Sequence, residues 1–225
     1  MRDIIKHHVF EDNDGTVQWV TNKGNKVSYS TGQTWDDLKV NKVNVPWHHV
    51  VWFPQANPKH AFIMWLAIQE RLTTQDKLMK WYPLKTFQCE LCGKEADSIN
   101  HLFFGCEYSK AVWLEVKKLL LFRGLPTNIH AIVQKIAVFS YRNQIWDVIN
   151  RITIAATVYN VWQERNSRIF KGRRRSESEL VKCIVEGIKL NPTSFKIKNS
   201  VSMARAAKNW GLDLDGSRLV IKHLM

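Results

Sequence analysis

Three of the chain's four cysteines and one histidine fall within the stretch CELCGKEADSINHLFFGC, from Cys89 to Cys106. The spacing is Cys89-x2-Cys92-x8-His101-x4-Cys106, and no other feature restricts the fold as much. A Cys-x2-Cys step lets two thiolates from one tight turn reach a common tetrahedral ion at about 2.3 Å each. Gly93 follows the second cysteine, where a knuckle turn needs a residue tolerant of positive φ. A short helix through LFFG would turn His101 inward, and Gly105 would let the chain bend so that Cys106 closes the site. Four ligands leave no open position, so one zinc ion bound by Cys89, Cys92, His101 and Cys106 would be structural and not catalytic. The competing readings are a disulfide, a redox Cys-x2-Cys, and core cysteines brought together by chance. A disulfide would leave an odd thiol, and the redox motif calls for a βαβ context that nothing upstream supplies. The spacing favours zinc over all three. Cys183, in LVKCIVEGI, lies far off on a helical pattern and is expected to be a buried small hydrophobe.

At 225 residues the chain could form one large domain or two small ones. Its 45% hydrophobic content is enough for a buried core, and ten tryptophans are many for this length. No apolar run reaches the length of a membrane span, and MRDIIKHHVFEDNDG lacks the pattern of a secretory leader. The expectation is an intracellular protein, nuclear or cytoplasmic, not secreted and with no membrane partner, in a compartment where disulfides are rare. The net charge of +13 calls for a polyanionic partner. Residues 165–225 hold 14 Lys and Arg against 5 Asp and Glu, so the excess is mainly C-terminal and densest at RIFKGRRRS. A solvated loop or a nuclear import signal is the plainer reading of such a cluster.

The pattern along the chain predicts a mainly α fold, a helical domain with an N-terminal β-hairpin and a small Cys3His zinc knuckle. GTVQWVT and KVSYST alternate apolar and polar residues around the turn Asn22–Asn25, which predicts the hairpin. TGQTWDDLK reads as a short helix with Thr34 near its N-cap and acids in the first turn. Asn57-Pro58 starts a heavily buried helix with Phe62, Trp65, Leu66 and Gln69 on its stripe, widened by Ile63 and Ala67. Thr73 and Asp76 resemble a capping box for the next one. Ser109–Phe122 carries Val112, Val116, Leu119 and Leu120 on one face and is stopped by Gly124 and Pro126. TNIHAIVQKIAVF and the long segment Asn143–Phe170 are further amphipathic helices, the latter aligning Ile145, Ile149, Ile152, Ala156, Tyr159 and Trp162. A basic loop, a helix near ESELVKCIVEGIKL and a weakly patterned tail follow. The expected divisions are 1–45 (hairpin and lead-in), 46–125 (zinc-binding domain), 126–172 (helical extension) and 173–225 (basic C-terminal segment).

Residues 51–113 resemble the zinc-binding domain that follows the polymerase in plant LINE-type (non-LTR) retrotransposon reverse transcriptases. The shared marks are Trp52, Pro58-Lys59, Phe62 and Trp65 in F-x-x-W, Arg71-Leu72-Thr73, Leu78, C-x-L-C, H-L-F-F-x-C, and Trp113 seven residues beyond Cys106. VWQERNSRIFKG is similar to a segment downstream of the zinc site in many of these elements, so the resemblance spans roughly residues 15–172. It implies the same four zinc ligands, with Phe62, Trp65, Phe103, Phe104 and Trp113 as the core around the knuckle. The family segment between the ligand pairs often reads Gly, then E-T/S-x-x-H. Here it is GKEADSINH, in which Glu95 or Asp97 fills the acidic place and Ser98 the hydroxyl place.

Catalytic carboxylates of such elements are not discernible. The one Asp-Asp, Asp36-Asp37, has a helical and not a strand-turn context, and Asp213 and Asp215 stand alone near the C-terminus. The pairs His7-His8 and His48-His49 point apart in a helix or strand and do not read as ligands. No phosphate-binding loop, nucleophile elbow or dinucleotide fingerprint appears, so neither an enzyme nor a small-molecule substrate is expected. The leading expectation is a non-catalytic module of a retroelement polyprotein that binds RNA or single-stranded DNA. Its candidate phosphate contacts are Lys85, Lys94, Arg165, Arg168, Lys171, Arg173, Arg174 and Arg175. The alternatives are an interaction module docking on a polymerase domain, and a decayed retroelement fragment with no retained activity.

Overall fold

The computed structural model describes residues 18–38, 45–120, 124, 126–139, 145–190, 208, 210, 212–215 and 218–221. The chain divides into two compact units, Met1–Asn44 and Val45–Met225.

In the first unit, β1 (Gln18–Val20) and β2 (Lys26–Ser28) pair antiparallel with Trp19 opposite Val27. Gly24 adopts φ +80°, and its N–H donates to the Thr21 carbonyl at 2.8 Å, closing the expected turn. Gly15–Val17 of the predicted hairpin lie outside the described residues. Helix α1 (Thr31–Leu38) starts a turn earlier than Thr34, because Thr34 N–H already bonds back to the Ser30 carbonyl. Asp36 and Asp37 therefore sit in its later half and not at its positive end. Asp37 instead accepts the Trp19 indole N–H at 2.7 Å, tying helix to hairpin.

The second unit is built around one long helix. After the single-turn α2 (His48–Val51), helix α3 (Pro58–Ile68) starts as expected, with the Asn57 side chain accepting the Lys59 N–H at 3.0 Å and Pro58 in the first turn. Its buried face differs from the expected stripe. Ala61, Met64, Ala67 and Ile68 face the core, whereas Phe62 is 49% exposed and Trp65 only half-buried. The helix is apolar almost all round, so periodicity alone could not choose its inner side. The short α4 (Gln75–Leu78) is capped at Thr74, one residue past the expected Thr73. The shift follows from Asp97, whose carboxylate accepts the Gln75 N–H at 2.7 Å and replaces a local cap.

Helix α5 (Glu107–Lys118) buries Tyr108, Val112 and Val116 at four-residue spacing, together with Ser109 and Trp113. It stops before Leu119, and Gly124 beyond it takes φ +74°. Helix α6 (Ile129–Phe139) leads to α7 (Ile145–Lys171), whose 27 residues extend about 40 Å. From Trp146 to Val158 almost every side chain of α7 is buried, because α2, α3, α5, α6 and the knuckle all pack on it. Helix α8 (Glu177–Leu190) inserts Leu180, Ile184 and Ile188 against α5 and α7. Its start is a capping box: Ser176 N–H donates to Glu179 at 2.7 Å, and Glu179 N–H to Ser176 Oγ at 3.3 Å. The weakly patterned tail holds a second hairpin, β3 (Leu212–Asp215) with β4 (Arg218–Ile221), in which Asp213 pairs with Val220 and Asp215 with Arg218. The expected mainly α class with a small N-terminal hairpin is the observed one. Val50, Trp113, Ile132, Ile154 and Leu180 belong to one core, so the segments expected at 46–125, 126–172 and 173–225 share it.

Candidate metal centre

Two short backbone devices assemble the cluster. The first is the knuckle Cys89–Gly93, closed by Gly93 N–H to the Cys89 carbonyl at 2.7 Å. Gly93 has φ +72° with open space where a Cβ would stand, so backbone conformation and not crowding requires glycine here. The loop directs the N–H groups of Leu91 and Cys92 at Cys89 Sγ, and that of Lys94 at Cys92 Sγ. The second is a single π-helical turn, His101–Gly105, which Cys106 N–H closes on the His101 carbonyl at 2.6 Å. A side chain at Gly105 would come within 3.1 Å of the Asn100 carbonyl oxygen, so the turn needs glycine for close approach. Cys106 is also the N-cap of α5, and the N–H groups of Tyr108 and Ser109 face its sulfur.

The four ligand atoms lie within 4.8 Å of one another. Cys89 Sγ and Cys106 Sγ are 3.9 Å apart, and Cys92 Sγ is 3.4 Å from His101 Nε2. Tetrahedral zinc with bonds of about 2.0–2.3 Å sets ligand atoms about 3.5–3.8 Å apart, which these edges match. A disulfide is excluded, since its sulfurs stand at about 2.05 Å and all four cysteines are free. Glu95 Oε1 lies 2.9 Å from His101 Nδ1, so the carboxylate accepts that N–H and leaves Nε2 to face the sulfurs. Ser98 Oγ accepts the His101 N–H at 3.2 Å. The acidic and hydroxyl places between the ligand pairs thus belong to Glu95 and Ser98.

The protonation chemistry suits a divalent cation. A hydrogen bond from the Cys89 thiol, with the helix N–H groups behind it, holds the Cys106 thiol down to about 5. The same bond, then burial, pushes the Cys89 thiol up, and burial pushes Cys92 up. Cys106 is thus the most readily ionised of the three thiols, and a dication would favour the thiolate form of all three. Cys3His with both nitrogens of His101 engaged fits one zinc ion in a closed, structural site.

Asp97 does different work. Fully buried, it accepts Arg165 Nε at 2.9 Å and Nη2 at 3.3 Å as well as the Gln75 N–H. Gln75 in turn accepts the Asp97 N–H and donates to the Gln88 carbonyl. Arg168, one turn along α7, pairs with buried Glu164 at 2.8 Å and donates to the carbonyls of Glu90 and Leu91 inside the knuckle at 3.0 and 3.1 Å. Its guanidinium lies 4.4 Å from the centroid of the Tyr108 ring, and Tyr108 Oη donates to the Arg175 carbonyl at 3.0 Å. Arg165 and Arg168 were expected at phosphates; both side chains are instead buried and paired, and they clamp the knuckle to α7. Composition could not separate them from surface charge, although the Glu164–Arg168 spacing of four within QERNSR was a visible signal.

The other expected cations lie at the surface. Lys85 sits 5.2 Å from the Phe87 ring centroid, and Lys94 pairs with Glu107 at 2.5 Å. Lys171, Arg173 and Arg174 are exposed, with Arg174 3.8 Å from Glu90. Arg175 is split: its N–H donates to Glu164 at 2.8 Å, while its side chain is partly free, 3.9 Å from the same carboxylate. Phe103, Phe104 and Trp113 form the expected aromatic core, with Phe104 edge-on to Trp113 at 5.3 Å. Cys183, expected inside, is exposed, since it falls between the buried Leu180 and Ile184 positions of α8.

Residues 29–113 match the family model for zinc-binding in reverse transcriptase. The Cys3His cluster falls within the matched stretch, so this segment is similar to that zinc-binding family in both sequence and ligand set. Its partners in the structure, Glu164, Arg165 and Arg168, lie beyond the matched stretch. No curated protein and no solved structure matches the chain significantly. Among the described residues no helix is long and apolar enough to cross a membrane.

Proposed function

We propose that the chain is a non-catalytic module of a reverse transcriptase polyprotein from a plant LINE-type retrotransposon, and that it binds RNA or single-stranded DNA beside its zinc knuckle. The observation that carries this reading is the placement of Lys171, Arg173 and Arg174. They are exposed on a short loop whose backbone is pinned to the knuckle by Arg168, Glu164 and Tyr108. Arg174 lines a hollow of about 300 Å³ over Cys89–Gly93. A cationic loop held firmly against a rigid staple loses little entropy on meeting phosphate. Zinc and the buried ion pairs set the surface, and the exposed cations supply the affinity.

The test is a salt titration of binding to single-stranded RNA and DNA by the zinc-loaded chain. Affinity should fall linearly on a log–log plot, with a shallower slope for R173A/R174A. Unchanged affinity and slope in that variant would remove the loop from the reading. A second reading, docking on a polymerase domain, is favoured by the outer side of α3, where exposed Phe62 stands 5.9 Å from half-buried Trp65. Salt-insensitive absence of nucleic-acid binding, with capture of a polymerase domain lost on F62S, would select it. Neither activity in a folded, zinc-loaded chain would mark a retroelement remnant.

A further inference from the structure

A groove of about 590 Å³ runs beside the knuckle, between the Lys85–Gln88 segment and the last turns of α7. Its volume is in the range of sites that hold small ligands, about 300–1,000 Å³. Phe87 and Phe170 supply rings, and Thr73, Thr86, Gln88 and Asn166 supply hydroxyls and amides. Phe170 is 76% exposed and so contributes little to the core, although its neighbour Ile169 and the half-buried Trp162 line the same groove. Trp162 is occupied, with the Arg165 guanidinium 4.9 Å from its ring centroid. Lys85 also lines the groove, its Nζ 5.2 Å from the centroid of the half-buried Phe87 ring, and Glu90, the groove's one carboxylate, faces Arg174 at 3.8 Å.

We infer that this groove takes one unstacked base of a single-stranded nucleic acid, stacked on Phe170, while Lys85 meets the adjoining phosphate. The inference rests on the nucleic-acid reading above and adds a site to it. Three observations converge on a base. The exposed Phe170 ring offers a π-face that every base can use, which gives stacking without sequence preference. The groove's amides and hydroxyls match the polar edges of a base and would be poorly used by an aliphatic guest. The groove and the hollow over the knuckle share Gln88 and Glu90, and Arg174, on the basic loop, lines that hollow. A strand could therefore run from the groove to the basic loop, with phosphates on the arginines and a base in the groove.

The experiment uses the full zinc-loaded chain, a labelled single-stranded oligonucleotide and the same oligonucleotide carrying abasic sites, at one fixed salt concentration. Removing the bases should weaken wild-type binding about tenfold. F170A should lose about the same factor on the intact strand, lose nothing further on the abasic strand, and keep the salt slope. F170Y should restore binding and F170L should not, since leucine keeps the apolar bulk without the ring. An equal effect of F170A on both strands, or no effect on either, would overturn the base site while salt-dependent binding continued to support the phosphate contacts. Failure of the chain to bind any oligonucleotide would overturn both.

Discussion

Arg165 and Arg168 lie within ten residues of Arg173 and Arg174, yet the two pairs are used in opposite ways. The first pair points into the protein and meets full-length partners, Asp97 and Glu164, both with 0% side-chain exposure. The second pair stands in water, with only a long contact from Arg174 to Glu90 described for it. Helical phase decides the difference. Residues 164, 165 and 168 share the face of α7 that meets the knuckle, whereas Gly172, at φ +63°, ends the helix and releases the following arginines. A count of basic residues therefore overstates the surface available to a polyanion, and part of it is internal bracing.

The largest expected effect breaks the inner set by removing what it grips. Chelation, or Cys106→Ala, should take the zinc content from one to none by native mass spectrometry. Structural zinc contributes about 10–16 kcal/mol in small finger peptides, so hydrogen-exchange protection should vanish over residues 89–106. The N-terminal half of α7, buried by α3 and α6, should remain protected. Protection at 89–106 that persists without metal would remove zinc as the staple.

Arg165→Ala comes next, since it leaves the Asp97 carboxylate buried without its cation. Such a truncation typically costs about 3–5 kcal/mol. Arg165→Lys should recover only part of that, because one ammonium cannot reproduce the two-pronged contact to Oδ1 and Oδ2. Denaturant midpoints at constant slope measure both. A loss under about 0.5 kcal/mol for Arg165→Ala would place this arginine with the surface cations after all.

The outer pair should give the mirror result. Arg173→Ala with Arg174→Ala should leave the denaturant midpoint within about 0.5 kcal/mol, yet make the salt slope for single-stranded nucleic acid shallower by about 1.4, for two phosphates released. A stability loss like that of Arg165→Ala would erase the contrast between the pairs.

Local chemistry was readable in the sequence where a few neighbouring residues decide it. The ligand spacing, the Asn57-Pro58 helix start and the positive φ of Gly93 each depend on only a few positions, and all are present. What could not be read depends on contacts between distant segments. Asp97 caps α4 from 22 residues away and meets Arg165 from 68 away, so neither the cap at Thr74 nor the burial of Arg165 has a local signature. The inner face of α3 was hidden for another reason: a helix apolar on every side has no phase to read. The tail hairpin β3–β4 did carry local signals, the alternation Leu212-Asp213-Leu214-Asp215 and the Gly216-Ser217 step after it, although the tail was expected to be weakly patterned.

The cysteines repeat the contrast between inner and outer residues and supply the mildest test. Cys89 and Cys106 are fully buried in the cluster, Cys92 is partly covered, and Cys183 is exposed on α8. A zinc-bound thiolate is shielded by its metal and by the N–H groups aimed at it, whereas an exposed thiol reacts at a rate set by its own ionisation. An aromatic disulfide reagent should therefore titrate one thiol quickly in the zinc-loaded chain and all four after a chelator is added. Cys183→Ser should abolish the fast phase without changing the melting temperature, since its side chain fills no core position. Two fast thiols would mean that Cys92, the least buried of the three cysteine ligands, is not held by metal, and the site would then be Cys2His and open. A fast phase that survives Cys183→Ser would place the reactive thiol in the knuckle and contradict a closed centre.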